Sequence, residues 1–327
     1  LEPGTIVTGK LIAALKRLGF DKVFSTEFSA DLTILEEGYE FINKITNSQK
    51  LPHITSCCPG WVKFAECNYP DLLDYLSTAK SPQQMFSTIV KTYYARQIGV
   101  DPASIFTVSV MPCTAKKFEK ARAEHRDSGF QDTDAVLTTR ELARMIKELG
   151  LDFINLEDAE YDQIMGEVSG AATIFGTTGG VTEAALRTVK EVLAGEGLDR
   201  LDLGLMGTRE AQVEIAGRTY NVAVVSGLSN AAKLLDEIRA GESKYDWIEV
   251  MACPHGCIGG GGQPIPGSFD TKARRAKGLA NIDQAKQIRK SHQNPDVIRL
   301  YEEFLGEPLG SISHELLHTS YQARDVR

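Results

Sequence analysis

Residues 247–264 read Trp-Ile-Glu-Val-Met-Ala-Cys-Pro-His-Gly-Cys-Ile-Gly-Gly-Gly-Gly-Gln-Pro. The first five form a short apolar run of the strand type. That run leads into Cys253 and Cys257 within a glycine-rich stretch. The same arrangement occurs twice upstream. His53–Ser56 is a short strand ending at Cys57-Cys58-Pro59-Gly60-Trp61. Phe106–Met111 is β-branched and alternating, and it ends at Pro112-Cys113-Thr114-Ala115-Lys116-Lys117. Helical periods lie between such runs: Lys10–Leu18, Ala30–Ile45, Arg140–Leu149 before Gly150, and Val181–Leu193 entered through Gly179-Gly180. Lys22–Ser25 and Tyr220–Val225 complete the predicted strands. Strands alternating with helices predict an α/β fold with at least partly parallel sheets. Sites in open α/β sheets gather where strands end. Cysteines far apart in sequence can therefore converge.

The 327 residues suffice for one large or two ordinary domains with filled cores. A net charge of −8 argues against a nucleic-acid partner, whose phosphates want a basic face. No apolar run approaches the roughly eighteen residues that a membrane span needs. The chain starts at Leu1 with no charged-then-apolar leader, which fits a cytoplasmic segment of a longer polypeptide.

The six cysteines, Cys57, Cys58, Cys67, Cys113, Cys253 and Cys257, are clustered rather than spread as a disulfide framework. Soft thiolates select iron–sulfur clusters, zinc or Cu(I). Structural zinc sites favour Cys-x-x-Cys pairs, and none occurs here. Glycine beside a ligand lets backbone approach a cluster and point N–H groups at sulfur. Three strand-end cysteine segments therefore suggest an iron–sulfur cubane.

These three segments resemble the signature segments of the iron-only (FeFe) hydrogenases, nearly residue for residue. The likeness runs from about Thr8 to Pro264 and returns at His314-Glu315-Leu316-Leu317-His318. It implies an α/β domain of two lobes, each a small twisted mixed or parallel sheet flanked by helices, with the cofactor in the cleft. Residues 1–266 would form that domain and 267–327 a helical C-terminal extension packed on it. The implied cofactor is the H-cluster, a 4Fe-4S cubane joined through one cysteine sulfur to a diiron unit with CO, cyanide and a bridging dithiolate bearing an amine. The implied activity is reversible cleavage and formation of H2.

Carried over by position, Cys58, Cys113, Cys253 and Cys257 would ligate the cubane, with Cys257 bridging to the diiron unit. Cys57 would pass protons to the bridging amine, as a positioned acid–base group. Lys116 would hydrogen-bond a cyanide, and Met111 and Met251 would wall the diiron unit. Ser81, Pro82 and Gln83 would line the pocket near the other cyanide, and Phe175 and Gly176 would close it. Cys67 matches no motif and is expected to pack.

Glu37 and Glu40 sit three apart on the predicted Ala30–Ile45 helix and share a face. Composition alone would make Glu36, Glu37 and Glu40 a solvated acidic face. The resemblance instead implies a relay through Glu37, Ser77 and Glu40 to Cys57, with Lys44 near its mouth and Glu119 a second acid near the cleft. His314-Glu315-x-x-His318 matches the zinc-protease pattern, yet it sits at the C-terminal end of the sequence. His255 stands where the family leads one to expect glycine. The basic run Lys272–Lys290 suits a solvated face, an acidic part of the same protein, or an acidic electron carrier.

Relatives imply a short pocket segment and accessory iron–sulfur clusters upstream of Leu1. The expected partners are H2, protons, maturation proteins and a redox partner (ferredoxin, NADH through other subunits, or a formate-handling module). Two rival functions are an H2-sensing relative, marked by loss of the relay, and a non-catalytic iron–sulfur assembly or carrier protein, marked by loss of Cys57, Lys116, Met111 and Met251.

Overall fold

The computed structural model of the chain describes residues 1–198, 208–265 and 267–325. Its strands are β1 (His53–Ile54), β2 (Val108–Met111), β3 (Ala135–Thr138), β4 (Thr208–Ile215), β5 (Arg218–Ser226) and β6 (Trp247–Met251). They make a four-stranded sheet in the order β1-β6-β5-β4 and a separate two-stranded sheet β2-β3. β1, β6 and β5 are mutually parallel along their pairings, β4 is antiparallel to β5, and β2 is parallel to β3. The α/β class and the small mixed and parallel sheets are thus as expected.

The strand ends are where the cysteines sit. β1 and β6 run side by side, with His53 opposite Trp247 and Ile54 opposite Ile248. Their carboxyl ends deliver Cys57-Cys58 and Cys253 to one edge. β2 delivers Cys113 from the other sheet. The glycine run stitches the two together: the Gly262 N–H donates to the Pro112 carbonyl (3.0 Å), and the Gly262 carbonyl accepts from the Arg140 N–H (3.0 Å). A Cβ on Gly260 would lie 2.1 Å from the Pro112 oxygen, so only glycine fits there.

Three helices frame the site, α2 (Glu27–Thr46), α3 (Pro59–Asn68) and α4 (Pro82–Ile89), while α1 (Thr8–Arg17) packs in a separate core with Leu142 and Ile146. Pro59 opens α3 at its first turn, where a missing N–H costs nothing. Fully buried Trp61 anchors that helix by donating from Nε1 to the Thr55 carbonyl at 3.0 Å. α2 is longer than its apolar pattern predicts and is buried on nearly all sides, from Phe28 through Gly38 and again at Phe41 and Ile45. It is the central helix, packed by α4 on one side and the helix Gly180–Ala194 on another, so it has no true solvent face.

Three strand predictions need correction. Lys22–Ser25 is extended but unpaired in a sheet. The Val23 N–H donates to Asp162 Oδ2 and its carbonyl accepts from the Asp162 N–H, both at 2.9 Å, so one loop residue satisfies it. β2 starts at Val108, two residues late, because the Thr107 N–H is taken by the Asp134 carboxylate at 2.7 Å. β1 closes two residues early, at Ile54.

The boundary expected at residue 266 falls outside the described residues. Beyond it, Val297, Leu300, Leu305, Leu316 and Leu317 join one core with Phe28, Leu32, Met85 and Ile89. Each such buried side chain contributes about 1.5–3 kcal/mol, so the C-terminal helices are held by a shared core. The basic run is largely paired within the chain. Arg274 meets Glu2 and Asp270, Arg275 donates to the Ile258 carbonyl, Arg289 meets Asp283, and Lys290 meets Glu191. Among the described residues no helix is long and apolar enough to cross a membrane.

Candidate metal centre

All six cysteines are unbridged. Four of them face one another. Cys58 feels the charge of Cys113 and Cys253, and Cys257 feels Cys58, Cys113 and Cys253. Burial pushes the Cys58 thiol up to about 11, although N–H groups of Ala252 and Trp61 pull the other way; the Ala252 N–H lies 3.3 Å from its sulfur. Burial, followed by the neighbouring cysteines, also raises Cys253 and Cys257. Such a quartet holds a metal centre only by losing protons, because thiolates are the ligands.

No three His, Cys, Asp or Glu side chains among the described residues close around a single ion. The quartet therefore does not match compact tetrahedral zinc, whose sulfurs sit about 2.3 Å from the metal. Four convergent soft donors, with backbone N–H groups aimed at sulfur and a glycine cradle, fit an iron–sulfur cluster. The cradle is specific: a Cβ on Gly256 (φ +79°) would lie 2.8 Å from the Thr178 N, and one on Gly262 would lie 2.9 Å from the Cys113 N.

Cys67 stands apart, on the outer part of α3, with its sulfur 3.5 Å from the Asp325 carbonyl. It is half-exposed there and joins no buried core. Cys57 is buried beside the quartet. Burial, and after it the carboxyl of Glu37, holds its thiol well above the usual range.

One wall beside Cys57 is built from the short helix Ala115–Glu119 and the start of α4. The buried Lys116 ammonium donates to the Cys57 carbonyl (3.1 Å) and to both Glu119 oxygens (3.0 Å each). Burial opposes its charge, but Glu119 together with the Cys113 and Cys57 sulfurs outweighs it, and the ammonium titrates above its usual range. Glu119 also accepts from Ser81 Oγ (2.9 Å), Gln83 Nε2 (3.1 Å) and Gln84 Nε2 (3.4 Å). Pro82 opens α4 between these contacts. Glu119 thus stands within a completed network and not as a solitary acid. The Gln83 Oε1 is buried without a partner.

Met251 is buried and Met111 half-buried at the ends of β6 and β2. Phe175 is half-buried against the core that holds Cys57, Met251 and Cys257. A Cβ on Gly176 would lie 2.9 Å from the Leu279 Cδ1, so a larger residue there would push that side chain aside. The turn that follows is fixed by Glu249, missed in the sequence, whose buried carboxylate accepts from the Gly179 N–H (2.7 Å) and the Thr182 N–H (2.8 Å).

The opposite wall belongs to α2. Glu36 and Glu37 are both buried and Glu40 is half-buried, so no solvated acidic face exists. Ser77 Oγ donates to Glu40 Oε2 at 2.6 Å, and the Thr78 N–H donates to Glu40 Oε1 at 3.2 Å. Glu37 points toward Cys57. The Ser77 hydroxyl and Ser56 N–H lie near enough to draw its pKa down without completing hydrogen bonds of normal geometry. Burial, and next the charge of Glu40, overrides them and pushes Glu37 up to about 8. Lys44, one turn beyond Glu40, is lowered by burial.

The histidine pair of the C-terminal motif is accounted for. Buried His318 uses both nitrogens, Nε2 with Glu36 Oε2 (3.0 Å) and Nδ1 with Thr78 Oγ1 (2.7 Å). His314 is exposed and stacks on it at 4.8 Å between centroids. No zinc-protease site forms there. His255 is buried at φ +71°, with its ring 5.6 Å from that of Phe269, so it does not point freely into solvent.

The profile of the family described as iron only hydrogenase large subunit, C-terminal domain, matches residues 1–261. The chain belongs to the iron-only hydrogenase family. A second profile, iron hydrogenase small subunit, matches residues 269–324. The NADP-reducing hydrogenase subunit HndD of Solidesulfovibrio fructosivorans is 52% identical over 99% of this chain and 57% of its own length. The chain therefore spans little more than half of that relative. A solved variant of apo [FeFe]-hydrogenase HydA1 from Chlamydomonas reinhardtii is 42% identical, with a TM-score of 0.89 over 100% of this chain and 90% of that one. Protein NAR1 of Arabidopsis thaliana is 33% identical over 95% of this chain and 72% of its own length.

Proposed function

We propose that this chain is the catalytic domain of an iron-only hydrogenase, interconverting H2 with protons and electrons. The observation that carries the proposal is the convergence of Cys58, Cys113, Cys253 and Cys257 beside a buried, uncommitted Cys57. The four would hold the cubane of an H-cluster, with Cys257 shared with the diiron unit. When bound, that cofactor supplies the metal centre for hydrogen chemistry and the cubane that exchanges electrons with it.

The chain's own residues do the rest. The Lys116 ammonium would face one of the cofactor's cyanide ligands, and Ser81, Pro82 and Gln83 would line the pocket near the other, on a wall that Glu119 holds in place. An ammonium suits a buried anionic ligand because it is compact and strongly charged. Met111, Met251, Phe175 and Gly176 keep the pocket dry, which strengthens every polar contact inside it. Cys57 holds a proton on Sγ at the inner end of a route running outward through Glu37, Ser77 and Glu40 to the protein surface near Lys44. An acid titrating near neutral pH can both take and give a proton there, and Glu37 is held at about 8.

Residues 1–266 would form the catalytic domain and 267–325 an extension integral to its core; the two matching profiles divide the chain at nearly that point. A ferredoxin or a partner subunit would supply electrons, maturation proteins would install the diiron unit, and further iron–sulfur domains would precede this chain. A cytoplasmic setting suits cysteines that are all unbridged. The test is turnover: anaerobically matured protein should evolve H2 from a reduced one-electron dye. Fully matured protein that holds a cubane and evolves none would leave an iron–sulfur carrier.

A further inference from the structure

His53 opens β1 and is wholly buried, four residues before Cys57. Its ring lies 4.8 Å from that of Trp247 and 5.9 Å from that of Phe41, between centroids, so its orientation is fixed by packing. Nε2 points at Glu37 Oε1 across 3.8 Å. Both nitrogens of His53 and both oxygens of Glu37 are buried, and none has a hydrogen-bond partner in the protein. Buried polar groups are almost always paired, so an unpaired imidazole nitrogen facing an unpaired carboxyl oxygen, just beyond hydrogen-bond distance, marks a place where pairing changes during function. From this geometry we propose that His53 is a positioning residue of the proton route, its Nε2–H closing onto Glu37 whenever that carboxyl has given up its proton. The inference rests on the proposed relay through Glu37.

The physical need is plain. A buried carboxylate with no donor is among the costliest groups a protein can hold. After Glu37 passes its proton inward to a Cys57 that has just given up its own, or outward to Ser77 as that hydroxyl hands its proton on to Glu40, a negative charge is left on a fully buried carboxyl. A small rotation of Glu37 brings Oε1 within hydrogen-bond distance of Nε2–H. No proton leaves the imidazole; it donates a hydrogen bond only. Burial, and then the charge of Lys44, keeps His53 uncharged by lowering its pKa well below the usual value. A neutral ring has one donor to offer. The other charges facing the pair are Glu40 and Lys44 on α2, Glu249 on β6 and the Cys57 thiol. The two further acids oppose a charge on Glu37, which increases the need for a donor.

The experiment follows the carbonyl stretch of protonated Glu37 by infrared titration of the holoenzyme, assigned by its loss in Glu37→Gln, alongside turnover against pH. His53→Met removes the donor at similar volume, and His53→Gln restores an N–H. The expected result is that His53→Met moves the Glu37 midpoint upward by about one unit, a tenfold change in its ionisation constant. Turnover should fall about tenfold below that midpoint if the step follows the constant. His53→Gln should return both. His53→Met should also keep or raise the melting temperature, since it removes an unpaired buried polar ring. An unmoved midpoint in His53→Met overturns the inference, as does a collapse of stability in both variants, which would make His53 a packing residue. Wild-type turnover in Glu37→Gln would instead overturn the relay itself, so the two failures are distinguishable.

Discussion

Glu36 and Glu37 are neighbours on α2, equally buried, and each faces a buried histidine. Their surroundings are opposite. Glu36 accepts from the Tyr301 hydroxyl and the Leu309 N–H (2.9 Å) and meets His318 Nε2 at 3.0 Å. Glu37 completes no hydrogen bond. One residue of rotation along a helix turns the side chain by about 100°, here from the C-terminal helices to the Cys57 side. The pair separates two uses of a buried acid. A fully satisfied carboxylate fixes structure. An unsatisfied one, with a carboxyl raised to about 8, is poised to move a proton.

The sharpest way to break that comparison is Glu37→Gln. Turnover should fall by about 10²–10⁴, the usual worth of a positioned acid–base group. Stability should respond in the other direction. Glu37 keeps its proton in the folded state up to about pH 8, while the unfolded chain releases it near 4.5. The folded state binds the extra proton, so this acid costs stability increasingly as pH rises from about 4.5 to about 8 and costs none below. Glu37→Gln should therefore melt higher than wild type at pH 8 and alike at pH 4. An equal melting temperature at pH 8 would show that Glu37 already has its partners.

A second comparison sets the Glu37 side of Cys57 against the Lys116 side, where every charge is met. Lys116→Met should destabilise by about 3–5 kcal/mol, because it strands the Glu119 carboxylate. Adding Glu119→Gln should recover much of that in denaturant unfolding and should not restore turnover. Glu36→Leu should cost on the order of 3 kcal/mol by leaving the Tyr301 hydroxyl, the Leu309 N–H and His318 unpaired, with turnover changed far less than by Glu37→Gln. His314→Ala is the smallest change. An exposed ring that only stacks on His318 should matter by less than about 0.5 kcal/mol, and iron and zinc contents should be unchanged.

The parts of the site legible in the sequence were those carried by local pattern. Strand-then-cysteine segments announced where Cys57, Cys58, Cys113 and Cys253 would stand, because strand ends of parallel sheets share an edge. β4 was not anticipated. Its pairing depends on the two-residue turn Ala216-Gly217, both at positive φ, the hairpin signal that Ile215-Ala216-Gly217-Arg218 carries only weakly without Asn or Asp. β3 is four residues long and half-buried, too short for periodicity to register. The near-complete burial of α2 from Phe28 to Gly38 is not legible in the pattern, because charges at Glu36, Glu37 and Glu40 mimic a polar face, and only tertiary packing shows what covers them. His53 and Glu249 were silent for the same reason: each lies within an apolar strand, and its meaning comes from a partner far away in sequence. A histidine or glutamate inside an otherwise apolar strand is the signal that could have found them.

The most direct test of the central claim is the infrared spectrum of anaerobically matured protein in the CO and cyanide stretching region. The account predicts bands there that vanish in Cys257→Ala, the residue proposed to bridge cubane and diiron unit. Fully matured protein that holds its cubane and shows no such bands would contradict it.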